Sequence, residues 1–249
     1  MQFNATKIPK KITPCPIVEA VVELRFKPTS GIPKEAIPGI LFSRLVSSDF
    51  SEFNKLPVTE IPEFVRENDP NLKYAALYAS QHRKIPSLRF QFGPRTCTLV
   101  SGVEYTGWAT LHDKLGELMR DIHTLSFVKE IERVGLRYIS FFKDSNVFNH
   151  TRSSFELAGN SMLNSGTTVR SEFQLENFTC TLQISNTAQL ADGQTGSLID
   201  IDVFKSFPEG KNFEIKTFMD TAIEAHNIEK KVFFGLLKPE YLEQLNPEY

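Results

Sequence analysis

The chain has 249 residues, with 28 Lys and Arg against 30 Asp and Glu, a formal charge of −2. At roughly 150 residues per domain this is one large domain or two fused halves, long enough to bury a substantial core. A content of 21 Phe, 6 Tyr and 1 Trp argues against disorder, and near-neutral charge gives no general attraction to nucleic-acid phosphate.

Residues 1–16 hold Pro9, Pro14 and Pro16 and read as an extended lead-in. Lys7, Lys10 and Lys11 form a small cationic arm, read as a solvated tail, with a contact for nucleic acid or an acidic partner as the alternative. No apolar run follows them, so the segment does not read as a signal peptide. Val18, Ala20, Val22, Leu24 and Phe26 then alternate with Glu19, Val21, Glu23 and Arg25, which predicts a half-buried strand. Pro28, Gly31 and Pro33 end it. A helix is expected over 34–47, burying Ile37, Ile40, Leu41 and Leu45, with Pro38 and Gly39 disturbing its start.

Pro57, Pro62 and Pro70 break up residues 48–72, which predicts irregular chain with one edge strand. Phe50, Phe53 and Phe64 in this stretch are candidates for an exposed interface or for covers of a core edge. Strands are expected at 73–80, 87–92 and 96–101, the last two joined through Gly93-Pro94-Arg95. Thr106 is a candidate N-cap for a helix over 107–124. Trp108, Leu111, Leu115, Leu118 and Ile122 form its apolar stripe. Trp108 is read as a core anchor that starts this stripe, with a ligand-pocket role as the alternative. A long strand follows at about 130–143, with Gly135 inside it marking a bulge or a close approach.

Residues 144–165 are polar, with room for one short helix. Strands are expected near 167–175, 179–185 and 197–204. Asn212 can cap a helix of about 22 residues with Ile215, Phe218, Ala222, Ala225, Ile228 and Val232 inside, stopped by Gly235. Pro239 opens a last short helix. The order strand, helix, strands, helix occurs twice. It predicts an α+β fold with a mostly antiparallel sheet and packed helices. Residues 1–249 are either a single domain or two related halves, about 14–143 and 144–249.

Cys15, Cys97 and Cys180 are far apart and form no C-x-x-C pair. Their sparse, odd count fits a reducing cytoplasm. No apolar run reaches the roughly 18–20 residues of a membrane span. A soluble cytoplasmic protein that does not touch membrane is therefore expected.

The chemistry concentrates on the polar sides of the strands. Ile199, Ile201 and Val203 face inward, so Asp200 and Asp202 share the opposite face. Two carboxylates that close call for a cation: Mg²⁺, Lys or Arg. Arg25 and Arg137 are on the polar sides of their own strands, and Glu19 and Glu23 share the face of Arg25. If these strands are neighbours, Glu19, Glu23, Arg25, Arg137, Asp200 and Asp202 form one charged face. That face is either a ligand cavity or a structural set of ion pairs. The chain lacks G-x-S-x-G, the P-loop, G-x-G-x-x-G and H-x-x-x-H. His82, His112, His123, His150 and His226 therefore suggest no metal helix, and no cofactor is expected.

Four ordered blocks carry a resemblance. They are residues 16–26 (PIVEAVVELRF), Tyr105-Thr106-Gly107-Trp108, Val134-Gly135-Leu136-Arg137-Tyr138-Ile139 and Leu198-Ile199-Asp200-Ile201-Asp202. In order and spacing, over about residues 14–237, they resemble the sporadically distributed family of uncharacterised prokaryotic proteins. Ser140 stands where members often have Asn. The resemblance brings no established activity, but its blocks include the charged-face residues Glu23, Arg25, Arg137, Asp200 and Asp202, which gives the functional reading of that face equal weight with the structural one and does not choose between them.

Two functions are weighed, with nucleic-acid binding as a third that the −2 net charge argues against. The first is a binding or protein-interaction protein with a protein partner or a second copy, and without nucleic acid. The alternative is an enzyme or ligand-binding protein for a phosphorylated or nucleotide-like ligand. Arg25 and Arg137 would then hold phosphate, and Asp200 and Asp202 would carry Mg²⁺. The E-x-E-x-K signature of triphosphate-tunnel proteins is not met by Val21-x-Glu23-x-Arg25.

Overall fold

The computed structural model describes residues 3, 7–45, 49–50, 53–164 and 166–249. Alternation builds the first strand, β1 (Ile17–Pro28), whose Ala20, Val22, Leu24 and Phe26 are fully buried. The expected first helix divides. A 3-10 turn at Lys34–Ala36 precedes α1 (Ile37–Leu45), because Pro38 has no N–H to donate and fits only the first turn. Positions 46–48 lie outside the described residues.

The proline-rich stretch contains β2 (Asn54–Lys55), a 3-10 turn at Pro57–Glu60 and α2 (Glu63–Asn68). Then come β3 (Tyr78–Gln81), β4 (Leu88–Gly93) and β5 (Thr96–Ser101). The strand expected from 73 thus begins only at Tyr78. Residues 74–76 run instead as a turn and irregular chain, with the Ala75 carbonyl against Gly93, where a Cβ would meet it at 2.6 Å.

Next is α3 (Trp108–Thr124), which buries Leu111, Leu115, Leu118, Met119 and Ile122. Its N-cap is Gly107 at φ 85°, a conformation glycine adopts freely, and not Thr106. Trp108 is half-buried, 5.5 Å from the His112 ring, and stands at the rim of the core.

The long strand is β6 (Val128–Lys143). The short helix for which residues 144–165 have room is a 3-10 helix at Val147–His150, capped by the Asn146 side chain. A small hairpin of β7 (Glu156–Leu157) and β8 (Asn160–Ser161) follows. The chain then forms β9 (Thr168–Leu175), β10 (Phe178–Gln189) and β11 (Thr195–Ser206). It closes with α4 (Ile215–Leu236) and α5 (Pro239–Gln244). Gly235 lies inside α4 and does not end it. It is glycine because Phe3 packs there, 2.8 Å from where a Cβ would stand.

The fold is α+β, with nine strands in the order β2-β3-β4-β5-β1-β6-β11-β10-β9. The pairings are antiparallel, as in Ala20↔Ser101 through Arg25↔Thr96 and in Thr179↔Phe204 through Ser185↔Leu198. Two compact units are distinguished. One comprises Met1–Glu19, Arg137–Phe204 and Glu224–Tyr249; the other comprises Ala20–Leu136 and Lys205–Ile223. In connectivity, β1 precedes the β3-β4-β5 meander and α3, and β6 precedes the β9-β10-β11 meander and α4. In each case the last meander strand neighbours the opening strand. No described helix is long and apolar enough to cross a membrane.

Candidate functional site

In the unit of Ala20–Leu136 and Lys205–Ile223, the polar side of β1 presents Glu23 and Arg25 opposite Thr98 and Thr96 of β5. Arg25 donates from Nε to Glu23 Oε2 at 2.9 Å. The same oxygen accepts from Arg133 on β6. No sequence motif singles out Arg133, although the period of two places it on the side of Gly135 and Arg137. Gly135 explains how it reaches Glu23. A Cβ there would stand 2.9 Å from an Arg133 Nη, so the missing side chain leaves the guanidinium room to lie along the strand. Arg25 also stacks over the Tyr74 ring at 4.8 Å. One carboxylate thus anchors two guanidiniums, and a tyrosine shields one of them.

In the other unit, Arg137 meets Asp200 fork to fork. Nε donates to Oδ1 at 2.7 Å and Nη2 to Oδ2. The Asp200 side chain is 14% exposed and that of Arg137 is 45% exposed. The Asp200 hydrogen bonds push the Arg137 pKa up. Desolvation opposes them, and the charges of Asp202 and Glu19 add to them. The cation that the carboxylate pair calls for is therefore supplied by the chain itself. Asp202 stands opposite Thr181 on β10. Burial first, and the charge of Asp202 second, push the neighbouring Cys180 thiol up to about 11.

The strands that carry Arg25, Arg137 and Asp200 are neighbours in the sheet order. The contacts of the predicted residues group by unit: Glu23 and Arg25 with Arg133, and Arg137 with Asp200. Among the described residues, no three His, Cys, Asp or Glu side chains gather as a metal site.

The unit of Ala20–Leu136 and Lys205–Ile223 also carries an arginine that no sequence motif marks. Arg95, in the tight connection between β4 and β5, lines two clefts. One, of about 170 Å³, is bordered by Lys34, Glu63, Arg66, Glu67, Lys73 and Tyr78, among others. The other, of about 310 Å³, is bordered by Lys27, Glu130, Glu132 and Phe207. Lys34 is committed to Glu67, Arg66 Nε to the Ile61 carbonyl at 2.9 Å, and Lys27 to Glu130 at 3.6 Å. The Arg95 guanidinium has no hydrogen bond or ion pair among the described residues, and acts on Glu67 only through space.

Close by in sequence, Phe50 is buried against His82 and Phe90, and Phe53 stacks on Tyr78 at 4.6 Å. Phe64 on α2 is 72% exposed and Val65 beside it is also exposed. Of the three candidate interface phenylalanines, Phe64 alone faces outward; the other two cover the core edge. Glu63, Arg66 and Glu67 of the same helix border the smaller cleft.

Compared with family models and with curated proteins, the chain finds no match in either.

Proposed function

We propose that this is a non-catalytic binding protein that takes a polypeptide partner at α2 and the Arg95 clefts. The observation that carries the reading is Arg95, a guanidinium held between two clefts with no hydrogen bond or ion pair of its own among the described residues. Such a group suits a carboxylate, which it can bind through two parallel hydrogen bonds. Phe64 offers an apolar anchor on the adjacent helix. The mixed charges around the smaller cleft fit a peptide with an acidic and an apolar side chain better than a polyanion.

The catalytic alternative has less support. Asp200 spends both carboxylate oxygens on Arg137, so the pair assigned to Mg²⁺ is already neutralised in part. The four-block resemblance brings no activity with it.

The test is selection of a displayed random-peptide library on the wild type, with counter-selection on Arg95→Ala. Enrichment of acidic–apolar peptides that lose at least about tenfold in affinity on Arg95→Ala and on Phe64→Ser supports the reading; tenfold corresponds to about 1.4 kcal/mol. Binders indifferent to both substitutions overturn it.

A further inference from the structure

The sheet ends at β9, eight residues long, with β10 as its neighbour. A two-residue turn, Glu176-Asn177, joins them, with Leu175 paired to Phe178. Across the pair, Thr168 touches Ser185, Glu172 touches Thr181 and Gln174 touches Thr179, at 2.8, 3.4 and 2.8 Å. Such close side chains mark the positions that do not exchange main-chain hydrogen bonds with the neighbouring strand. The N–H and C=O groups of Thr168, Arg170, Glu172 and Gln174 therefore point away from β10, along the outer edge. Among the described residues no strand pairs there. A long unpaired edge is a template for another strand.

The sequence of this edge is self-complementary. We propose that two copies of the chain pair antiparallel through β9, with the twofold axis at Ser171. This register sets Arg170 opposite Glu172 of the second copy, and Glu172 opposite its Arg170. It also sets Val169 opposite Phe173 and Thr168 opposite Gln174, each twice. The pairs of Arg170 with Glu172 and of Thr168 with Gln174 join positions with outward main-chain groups, so the hydrogen-bond ladder and the charge pairs agree. An axis moved one residue to Arg170 or to Glu172 would set like charges face to face. Arg170 and Glu172 are exposed, and Val169 and Phe173 are half-buried on the other side of the strand. Charges on an edge strand usually repel a second strand. Here the alternation of sign converts them into a selective contact with the same edge of another copy. The proposal uses residues of β9 alone and does not depend on the reading of the clefts.

Light scattering on sized wild-type protein tests it. The expected mass is twice the 28.3 kDa of one chain. Arg170→Glu sets two carboxylates face to face at both charge pairs, and Glu172→Arg sets two guanidiniums face to face there; each variant alone is expected to run as a monomer. In an equimolar mixture, a strand bearing only carboxylates meets one bearing only guanidiniums. Both opposite-charge pairs return, and with them the dimer mass. Far-ultraviolet circular dichroism checks that each variant is folded. A monomeric wild type, single variants that remain dimeric, or a mixture that stays monomeric overturns the proposal.

Discussion

Replacing Glu229 with Gln is expected to remove a stability loss that the wild type suffers as pH rises. Glu229 sits on α4 and is 6% exposed. Burial pushes its carboxyl from the ordinary 4.5 up to about 8, offset only in part by the charge of Lys230. Between these values the folded chain keeps a proton that the unfolded chain releases. The contribution is therefore most favourable below pH 4.5 and is lost as pH rises through 8. A rise from 4.5 to about 8, at about 1.4 kcal/mol per pKa unit, amounts to about 5 kcal/mol once the group is fully ionised.

Glutamine matches the shape and cannot ionise. The stability difference between Glu229→Gln and wild type is expected to widen steadily from about pH 5 to about pH 8. His82 and His150 act in the opposite sense. Burial lowers both from 6.5, so their stabilisation is lost as pH falls below that value. They are present in both proteins and cancel in the difference. Urea unfolding followed by circular dichroism at each pH gives the two curves. A difference that stays constant across the range refutes the assignment of a neutral buried carboxyl.

Two further outcomes follow from the packing. Gly135→Ala places a methyl on the Arg133 guanidinium and displaces it from Glu23; a loss of about 1–2 kcal/mol is expected by urea unfolding, and the loss should shrink when Glu23→Gln is already present. Cys15 is exposed whereas Cys97 and Cys180 are buried, with burial pushing both of their thiols up; a disulfide reagent on the native protein at about pH 8 should therefore release one equivalent promptly and the other two only on unfolding.

Much of the fold is legible in local patterning, because a period of two marks a strand wherever one face is buried. β1, β4 and β11 lie within a few residues of where their alternation places them, and α3 and α4 follow their apolar stripes. The boundaries that moved did so for non-local reasons. Gly235 reads as a helix stop, but its lack of a side chain serves the packing of Phe3, more than 200 residues away along the chain. The phenylalanines of the proline-rich stretch have no periodicity to sort them. Only the neighbours Phe90, Tyr78 and Phe92 decide that Phe50 and Phe53 turn inward while Phe64 turns out.

The charged face is legible as a set of residue types and not as a set of partners. Period two puts Arg137 and Asp200 on polar faces, but their fork geometry depends on the order of strands far apart in sequence. Arg133 gives no local sign of its role because Gly135 reads as a backbone feature, when it is clearance for a side chain. Arg95 gives none because a turn arginine carries no periodic signal. Its interest lies in the groups around it, drawn from residues 27–34, 63–78 and 130–132.

A structural role for Asp200, with ligand binding elsewhere, is tested most directly by thermal unfolding of the wild type and the Asp200→Asn/Asp202→Asn variant. Each is melted alone, with Mg²⁺, and with Mg²⁺ plus a panel of nucleotides. The fork between Arg137 and Asp200 is partly exposed, so its loss is expected to cost about 1 kcal/mol and to lower the melting temperature by about 2–4 °C. No nucleotide is expected to shift either protein. A wild type whose melting temperature rises with Mg²⁺ and a nucleotide, in a way the folded double variant does not follow, would contradict this and make the charged strand face a ligand site.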